Sequence, residues 1–328
     1  MMNKVAVMIM ATDKQPSVRN IEGIKDTYIS CYNRVLNGKG KKWKHQFDFF
    51  VYTSDPTIQV DYICTDDANV DNLHYVKVKE VESVYRTFEK TFKMYQYLDK
   101  EHRGEYKCYI RTNISMMLNL YMLDAYIDRF KPGTVYCNAV NSHTNAQSPY
   151  MNDLYPRGDL MIFDQDVMDC VLRVGEKYMY CDQDMHERIG VDHVDDCLMG
   201  VCMVDAFGPG YYTRIKPIKY YYLPKDVPTE VLTEWRIGYR VKTLTPEAKV
   251  SGYSWDDNEF RRLDVEKMKI LQAHFDEHQD ELMKLKDVQL GDILVNIYGN
   301  EQRPTLFLQT VNVGLNVLHE FLRRKRPS

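Results

Sequence analysis

The feature that most constrains this chain is the rhythm of its first half, where short apolar runs alternate with segments apolar on one helical face. Val5 to Ala11 is a short apolar run that ends in a polar loop, Thr12 to Ser17. Residues 18–36 then carry Ile21, Ile24, Tyr28, Cys31, Tyr32 and Val35 at helical spacing. Phe47 to Thr53 reads as a strand stopped at Ser54-Asp55-Pro56, and a further short strand is expected near Tyr75 to Val78. Tyr85, Phe88, Phe92, Tyr95 and Leu98 mark an amphipathic helix. Tyr106 to Arg111 reads as a buried strand, and Met117 to Phe130 as another helix. Strand and helix alternating in this order predict an α/β fold, a mainly parallel central sheet covered by helices on both faces. Ligands of such sheets collect outside the carboxyl ends of the strands. The loops after Ala11, Thr53 and Ile110 should therefore share one rim.

Past Gly133 the pattern loosens. Asn138 to Pro156 is polar and loop-like, Leu160 to Phe163 is a short strand, and Asp164 is placed to cap a helix from Gln165 to Val174. An acidic turn, Asp192 to Asp196, leads into the apolar run Cys197 to Val204, and Pro217 to Pro224 is a Tyr-rich extended stretch. Asp264 to Lys286 reads as one long charged helix with Val265, Met268, Leu271, Phe275 and Leu282 on one side. From Asp287 a strand or two and a last amphipathic helix are expected, ending in Arg323-Arg324-Lys325-Arg326. This divides the chain into residues 1–245, which bind and react, and a C-terminal extension, 246–328, packed on them. Core packing is the default for the final helix, with subunit pairing or contact with an anionic membrane surface as alternatives.

Composition excludes several classes. With 43 basic and 47 acidic residues and a net charge of −4, no broad basic field exists to follow a nucleic acid. No apolar run approaches the roughly 20 residues of a membrane helix. The N-terminus lacks a signal-peptide cleavage pattern, and the eight cysteines are scattered without a CxxC pair, so a cytoplasmic setting with reduced thiols is expected. The oligomeric state is not indicated.

Three segments carry a resemblance in their order. They are Tyr85 to Leu98 followed by Arg111-Thr112-Asn113-Ile114-Ser115; Gly158-Asp159-Leu160-Met161-Ile162-Phe163-Asp164; and Val194-Asp195-Asp196-Cys197-Leu198-Met199-Gly200. Together they resemble the β-1,3-galactosyltransferase and Fringe-like enzymes over roughly residues 5 to 275. The match is closer to viral and bacterial relatives that carry Arg-Thr-Asn in place of the Asp-x-Asp motif, with Arg240-Val241-Lys242 and Arg261-Arg262-Leu263-Asp264 further on. The resemblance implies a GT-A-like (Rossmann-like) fold and transfer of a sugar from a nucleotide-sugar donor, UDP-sugar favoured, to a hydroxyl of a glycan or glycoconjugate acceptor. By resemblance the reaction inverts the anomeric centre.

Such a transfer needs a carboxylate to take the acceptor proton and a positive charge to balance the departing diphosphate. The second acid of the third segment, Asp196, matches the family's base, with Asp195 as the neighbouring candidate; one of the two also reads as a plain helix cap. On the donor side stand Thr12 and Asp13 after the first strand, Asp55 after the second, and Arg111, Thr112 and Asn113. The loop with Arg157 and Asp159 reads as the acceptor side. Because Arg111 stands where the family carries an acidic motif, two readings stay open. Either Arg111 bridges inside the fold while a divalent Mn²⁺ or Mg²⁺ is held elsewhere, with the Asn113 carbonyl a weak ligand, or Arg240 and Lys242 clamp the diphosphate without metal. Two other functions are weighed beside this one. The missing acidic motif favours a non-catalytic scaffold that binds nucleotide-sugar. His274-Phe275-Asp276-Glu277-His278 matches a zinc-hydrolase pattern but sits in a charged helix, where a solvated face is the plainer reading.

Overall fold

The computed structural model describes residues 2–39, 42–83, 86–138, 140–143, 148–150, 153–179, 195–208, 210–218, 220–222, 236–241, 261 and 263–284. Its centre is an eight-stranded sheet. Four strands are the core of that sheet: β1 (Asn3–Met10), β2 (His45–Ser54), β4 (Leu73–Val78) and β5 (Tyr106–Asn113). They are mutually parallel, β5-β1-β2-β4 in space. β3 (Tyr62–Asp66) closes one edge antiparallel to β4. On the other side β10 (Leu160–Phe163) runs antiparallel to both β5 and β7 (Val135–Cys137), and β11 (Ile215–Pro217) pairs parallel with β7. The result is a mixed, mostly parallel sheet in which β3 and β10 alone are reversed.

Alternation along the strands sends side chains to two cores. Val5, Val7 and Ile9 of β1 enter the first, and Ala6 and Met8 enter the second. The first core is covered by α1 (Ser17–Ile24), α2 (Ser30–Asn37), α4 (Leu120–Tyr126), α7 (Asp264–Glu277) and α8 (Gln279–Lys284). The second is covered by α3 (Thr87–His102), α5 (Gln165–Gly175) and α6 (Asp195–Phe207). The fold is thus α/β with helices on both faces, as the alternation predicts. Met268, Leu271, Phe275 and Leu282 of the C-terminal extension belong to the same core as β1. No helix of the described residues is long and apolar enough to cross a membrane.

Four local expectations change. The helix expected over residues 18–36 breaks into α1, a π-turn (Lys25–Ile29) and α2, with a kink at Thr27, whose hydroxyl donates to the Gly23 carbonyl at 2.6 Å. The helix expected from Met117 begins later, because β6 (Met116–Leu118) pairs with β13 (Gly238–Arg240), and Asn119 then caps α4 by accepting from Met122 N at 3.1 Å. The long helix from Asp264 divides at His278 into α7 and α8. The strand β3 lies unforeseen between residues 53 and 75 and carries Asp66 away from the rim, since it runs back along β4 from Tyr62 beside Val78 to Asp66 beside His74. The final helix and basic tail, 287–328, lie outside the described residues.

Candidate functional site

Strand register assembles one edge. Met10 lies beside Tyr52 of β2 and beside Asn113 of β5, so the loops after β1, β2 and β5 leave the sheet together. Because β10 is reversed, its beginning meets the end of β5, with Leu160 beside Thr112. The loop Arg157-Gly158-Asp159 is thereby carried to the same edge. α6 then begins above it with Asp195 and Asp196.

The three sequence segments meet here through their own side chains. Arg111, 1% exposed, forms an ion pair with Asp195. The Asp195 carboxylate also accepts from Thr91 Oγ1 at 3.4 Å, and its backbone N–H donates to Thr87 Oγ1 at 3.2 Å. Asp196 accepts from Gly158 N at 3.1 Å and from Cys197 N at 2.9 Å, and is only half-buried. Two glycines permit this closeness. A Cβ on Gly158 would stand 3.1 Å from both Arg111 Nη1 and Asp196 Cβ. One on Gly200 would enter the shell of Tyr155 Cβ and approach Tyr155 Cα to 3.0 Å, so α6 can lie on β9 (Leu154–Pro156) only without a side chain there.

Burial pushes the Asp195 carboxyl up to about 6, Arg111 opposing and the neighbouring Asp196 adding to the rise. Arg111 is raised in turn: burial works most strongly against its charge, and Asp195 together with Tyr52, Tyr95 and Asp196 more than reverses it. At neutral pH the two stand as a desolvated ion pair, so Asp195 is already engaged and Asp196 is the more available carboxylate.

Asp159 is the second hub. It is ion-paired with Arg240 of β13 and with Arg157, whose Nε lies 3.1 Å away. It also accepts from Asn113 Nδ2 at 3.4 Å and Asn138 Nδ2 at 3.3 Å, while Thr112 Oγ1 donates to its backbone carbonyl at 3.2 Å. Burial, then the like charges of Arg157 and Arg261, press the Arg240 pKa downward. A guanidinium starts high enough, and Asp159 lies close enough, that Arg240 stays charged. The Asn113 side-chain oxygen is taken up by Ser115, accepting from its N–H at 3.0 Å and its hydroxyl at 2.9 Å, which turns it away from a metal.

Of the remaining donor-side residues, Thr12 folds onto the start of α1, its backbone N–H donating to Ser17 Oγ at 3.2 Å, and Asp13 is exposed beside it. Asp55 spends its carboxylate on its own turn, accepting from Thr57 Oγ1 at 2.6 Å, Thr57 N at 3.0 Å and Lys77 Nζ at 3.2 Å. Lys242 lies outside the described residues. Arg261 and Asp264, flagged in sequence, form a buried pair joined by Asn20 Nδ2 at 2.9 Å, which docks α7 on α1.

Sequence reasoning missed Lys90. Its ammonium, buried in α3, donates to the Ala11 carbonyl at 2.8 Å and to Glu82 at 2.8 Å, and so closes the same edge from below. Burial lowers its pKa, opposed by Glu82. The signal was present: Glu89, Lys90 and Thr91 interrupt the buried face of α3 with polar groups, and buried polar groups need partners. His274, Glu277 and His278 do lie together at the end of α7, but about 15–21 Å along the helix from Asp264 by the 1.5 Å rise per residue. No protein-family model matches this sequence, and no curated protein matches it either.

Proposed function

We propose that the chain is a GT-A-like glycosyltransferase that passes a sugar from a nucleotide-sugar, UDP-sugar favoured, to a hydroxyl of a glycan or glycoconjugate acceptor. One observation carries the reading: the Arg111, Gly158-Asp159 and Asp195-Asp196 segments, far apart in sequence, bond directly to one another at the carboxyl edge of a mostly parallel sheet. That edge is where α/β sheets bind ligands. In the proposed step the acceptor oxygen attacks the anomeric carbon, its proton passes to the Asp196 carboxylate, and the bond to the nucleoside diphosphate breaks. Asp195, held by Arg111 and Thr91, acts as a positioning residue that seats the first turn of α6.

Among the described residues, the paired charges at this edge balance. Lys90, Arg111, Arg157, Arg240 and Arg261 face Glu82, Asp159, Asp195, Asp196 and Asp264. A diphosphate adds negative charge to this set, so either Arg240 exchanges Asp159 for it or a divalent Mn²⁺ or Mg²⁺ arrives with it. Thermal unfolding with a panel of nucleotide-sugars, with EDTA and with Mn²⁺, separates the two. A donor at a hundred times its Kd stabilises the fold by about 2.7 kcal/mol, and persistence of the shift in EDTA favours the arginine clamp. Asp196→Asn should bind donor and lose about 10²–10⁴-fold in transfer rate. Full activity in that variant, or no shift with any donor, overturns the reading. The closure of Arg111 on Asp195 favours a second reading, a nucleotide-sugar-binding scaffold without chemistry. Donor binding by the unaltered protein without transfer or hydrolysis would establish it.

A further inference from the structure

At the outer edge of the sheet the antiparallel register of β3 and β4 sets Asp66 directly beside His74, with Cys64 two residues back on the same face of β3. One ligand atom from each of the three lies within 4.8 Å of the other two. Two of them are held from behind by the second core. The His74 ring stacks on Phe50 at 4.8 Å between centroids and 26° between planes, and Cys64 packs against the second core, which includes Tyr97 of α3. The third, Asp66, meets His74 Nδ1 at 2.7 Å and is 77% exposed, so its carboxylate can swing to complete a coordination sphere. The cluster lies at the opposite end of β4 from the rim, since Val78 marks the rim and His74 stands four residues before it.

We propose that Cys64, Asp66 and His74 form a zinc-class metal site that staples the edge strand β3 to β4. The donor set selects the ion. A thiolate and an imidazole favour Zn²⁺ over Mg²⁺ or Ca²⁺, which take oxygen ligands, and a carboxylate is an accepted third zinc ligand. Three protein ligands leave the fourth tetrahedral position to water. The ion displaces the thiol proton as it binds and joins two adjacent strands. Among the described residues β3 is an edge strand with an unpaired side, so a tie between it and β4 also limits its fraying and its pairing with another chain. A cross-strand Asp66–His74 ion pair uses two of these side chains; the Cys64 thiol, packed on the second core, adds a soft ligand atom within 4.8 Å of both.

The test uses the full chain, stripped of metal and titrated with Co²⁺ under reducing conditions. Cobalt held by a thiolate gives tetrahedral d–d bands and a sulfur-to-metal charge-transfer band; the His274, Glu277 and His278 group has no cysteine and cannot give the latter. The expected result is saturation at one equivalent with the charge-transfer band present, and displacement of that cobalt by Zn²⁺. Cys64→Ser should abolish the band, His278→Ala should keep it, and His74→Ala should weaken binding by at least about tenfold. Asp66→Asn changes an exposed group, leaves the fold intact, and should weaken binding by a similar factor. Absence of the band, or its survival unchanged in Cys64→Ser, His74→Ala or Asp66→Asn, overturns the proposal. None of these readouts depends on sugar transfer, so the site stands or falls apart from the proposed activity. Cys64→Ser also separates any effect of EDTA here from an effect on donor binding.

Discussion

Replacing Arg111 by Met removes the charge that balances a buried carboxylate while keeping most of the side-chain volume. Asp195 then has Thr91 as its remaining side-chain donor, in a place where it is 8% exposed. Breaking one partner out of a buried ion pair costs about 3–5 kcal/mol, because the surviving charge stays desolvated. At about 2.1 cal/mol/K of unfolding entropy per residue, over the 328 residues of the chain, this corresponds to a fall in Tm of about 4–7 °C. Arg111→Met with Asp195→Asn removes both charges and should recover most of the loss, with a coupling of about 2–3 kcal/mol in urea unfolding. The deficit should also depend on pH. A carboxyl whose folded pKa is raised, here to about 6 from 3.8, favours folding while protonated and loses that contribution as pH rises through about 6. Removing Arg111 raises it further, so the deficit of the single variant should shrink towards pH 4 and widen above pH 6. If the two single substitutions add to within about 0.5 kcal/mol in the double variant, or the deficit is flat with pH, the buried pair is not what joins β5 to α6.

The two glycines should behave differently. Gly200→Ala places a methyl against the backbone-proximal atoms of Tyr155, which cannot rotate away, and should cost about 3 kcal/mol in denaturant unfolding. Gly158→Ala meets Arg111 and Asp196 at 3.1 Å and should cost about 1 kcal/mol, relieved in part by Arg111→Met; equal costs at the two sites would refute the packing argument. At the other end of the sheet, His45 lies between Asp124 at 2.9 Å and Asp128 at 3.1 Å. Burial lowers its pKa and the two carboxylates more than reverse this, for a net rise above 6.5. Its contribution is complete below pH 6.5 and is lost as pH rises through the folded value, so His45→Gln should flatten the stability profile above neutrality; an unchanged slope there would refute the assignment.

Much of the fold was legible because its signals are local. Short apolar runs marked β1, β2, β5 and β10, a period-3.6 pattern marked α3, and Asp164 caps α5 as its position suggested, accepting from Val167 N at 3.2 Å. The failures were non-local. Met117 and Leu118 read as helix until β13, more than a hundred residues away, supplies the ladder of β6. Tyr62–Asp66 is a half-exposed edge strand without an apolar run to announce it. At the candidate site, Asp195, Asp196, Arg111, Asp159 and Arg240 could be flagged one by one, but not which carboxylate holds which guanidinium.

The sequence by itself determined the alternation of strands and helices, the polar loops that leave the carboxyl ends, and the glycines and acids available at them. The tertiary structure alone decided that β10 and β3 run in reverse. The first reversal brings Arg157-Gly158-Asp159 to the rim and the second takes Asp66 away from it. It also decided that Arg111 is bound to Asp195, leaving Asp196 as the more exposed acid. The physical reason is that periodicity reports which face of an element is buried, whereas strand order and ion pairing are set by how all the buried faces can be covered at once.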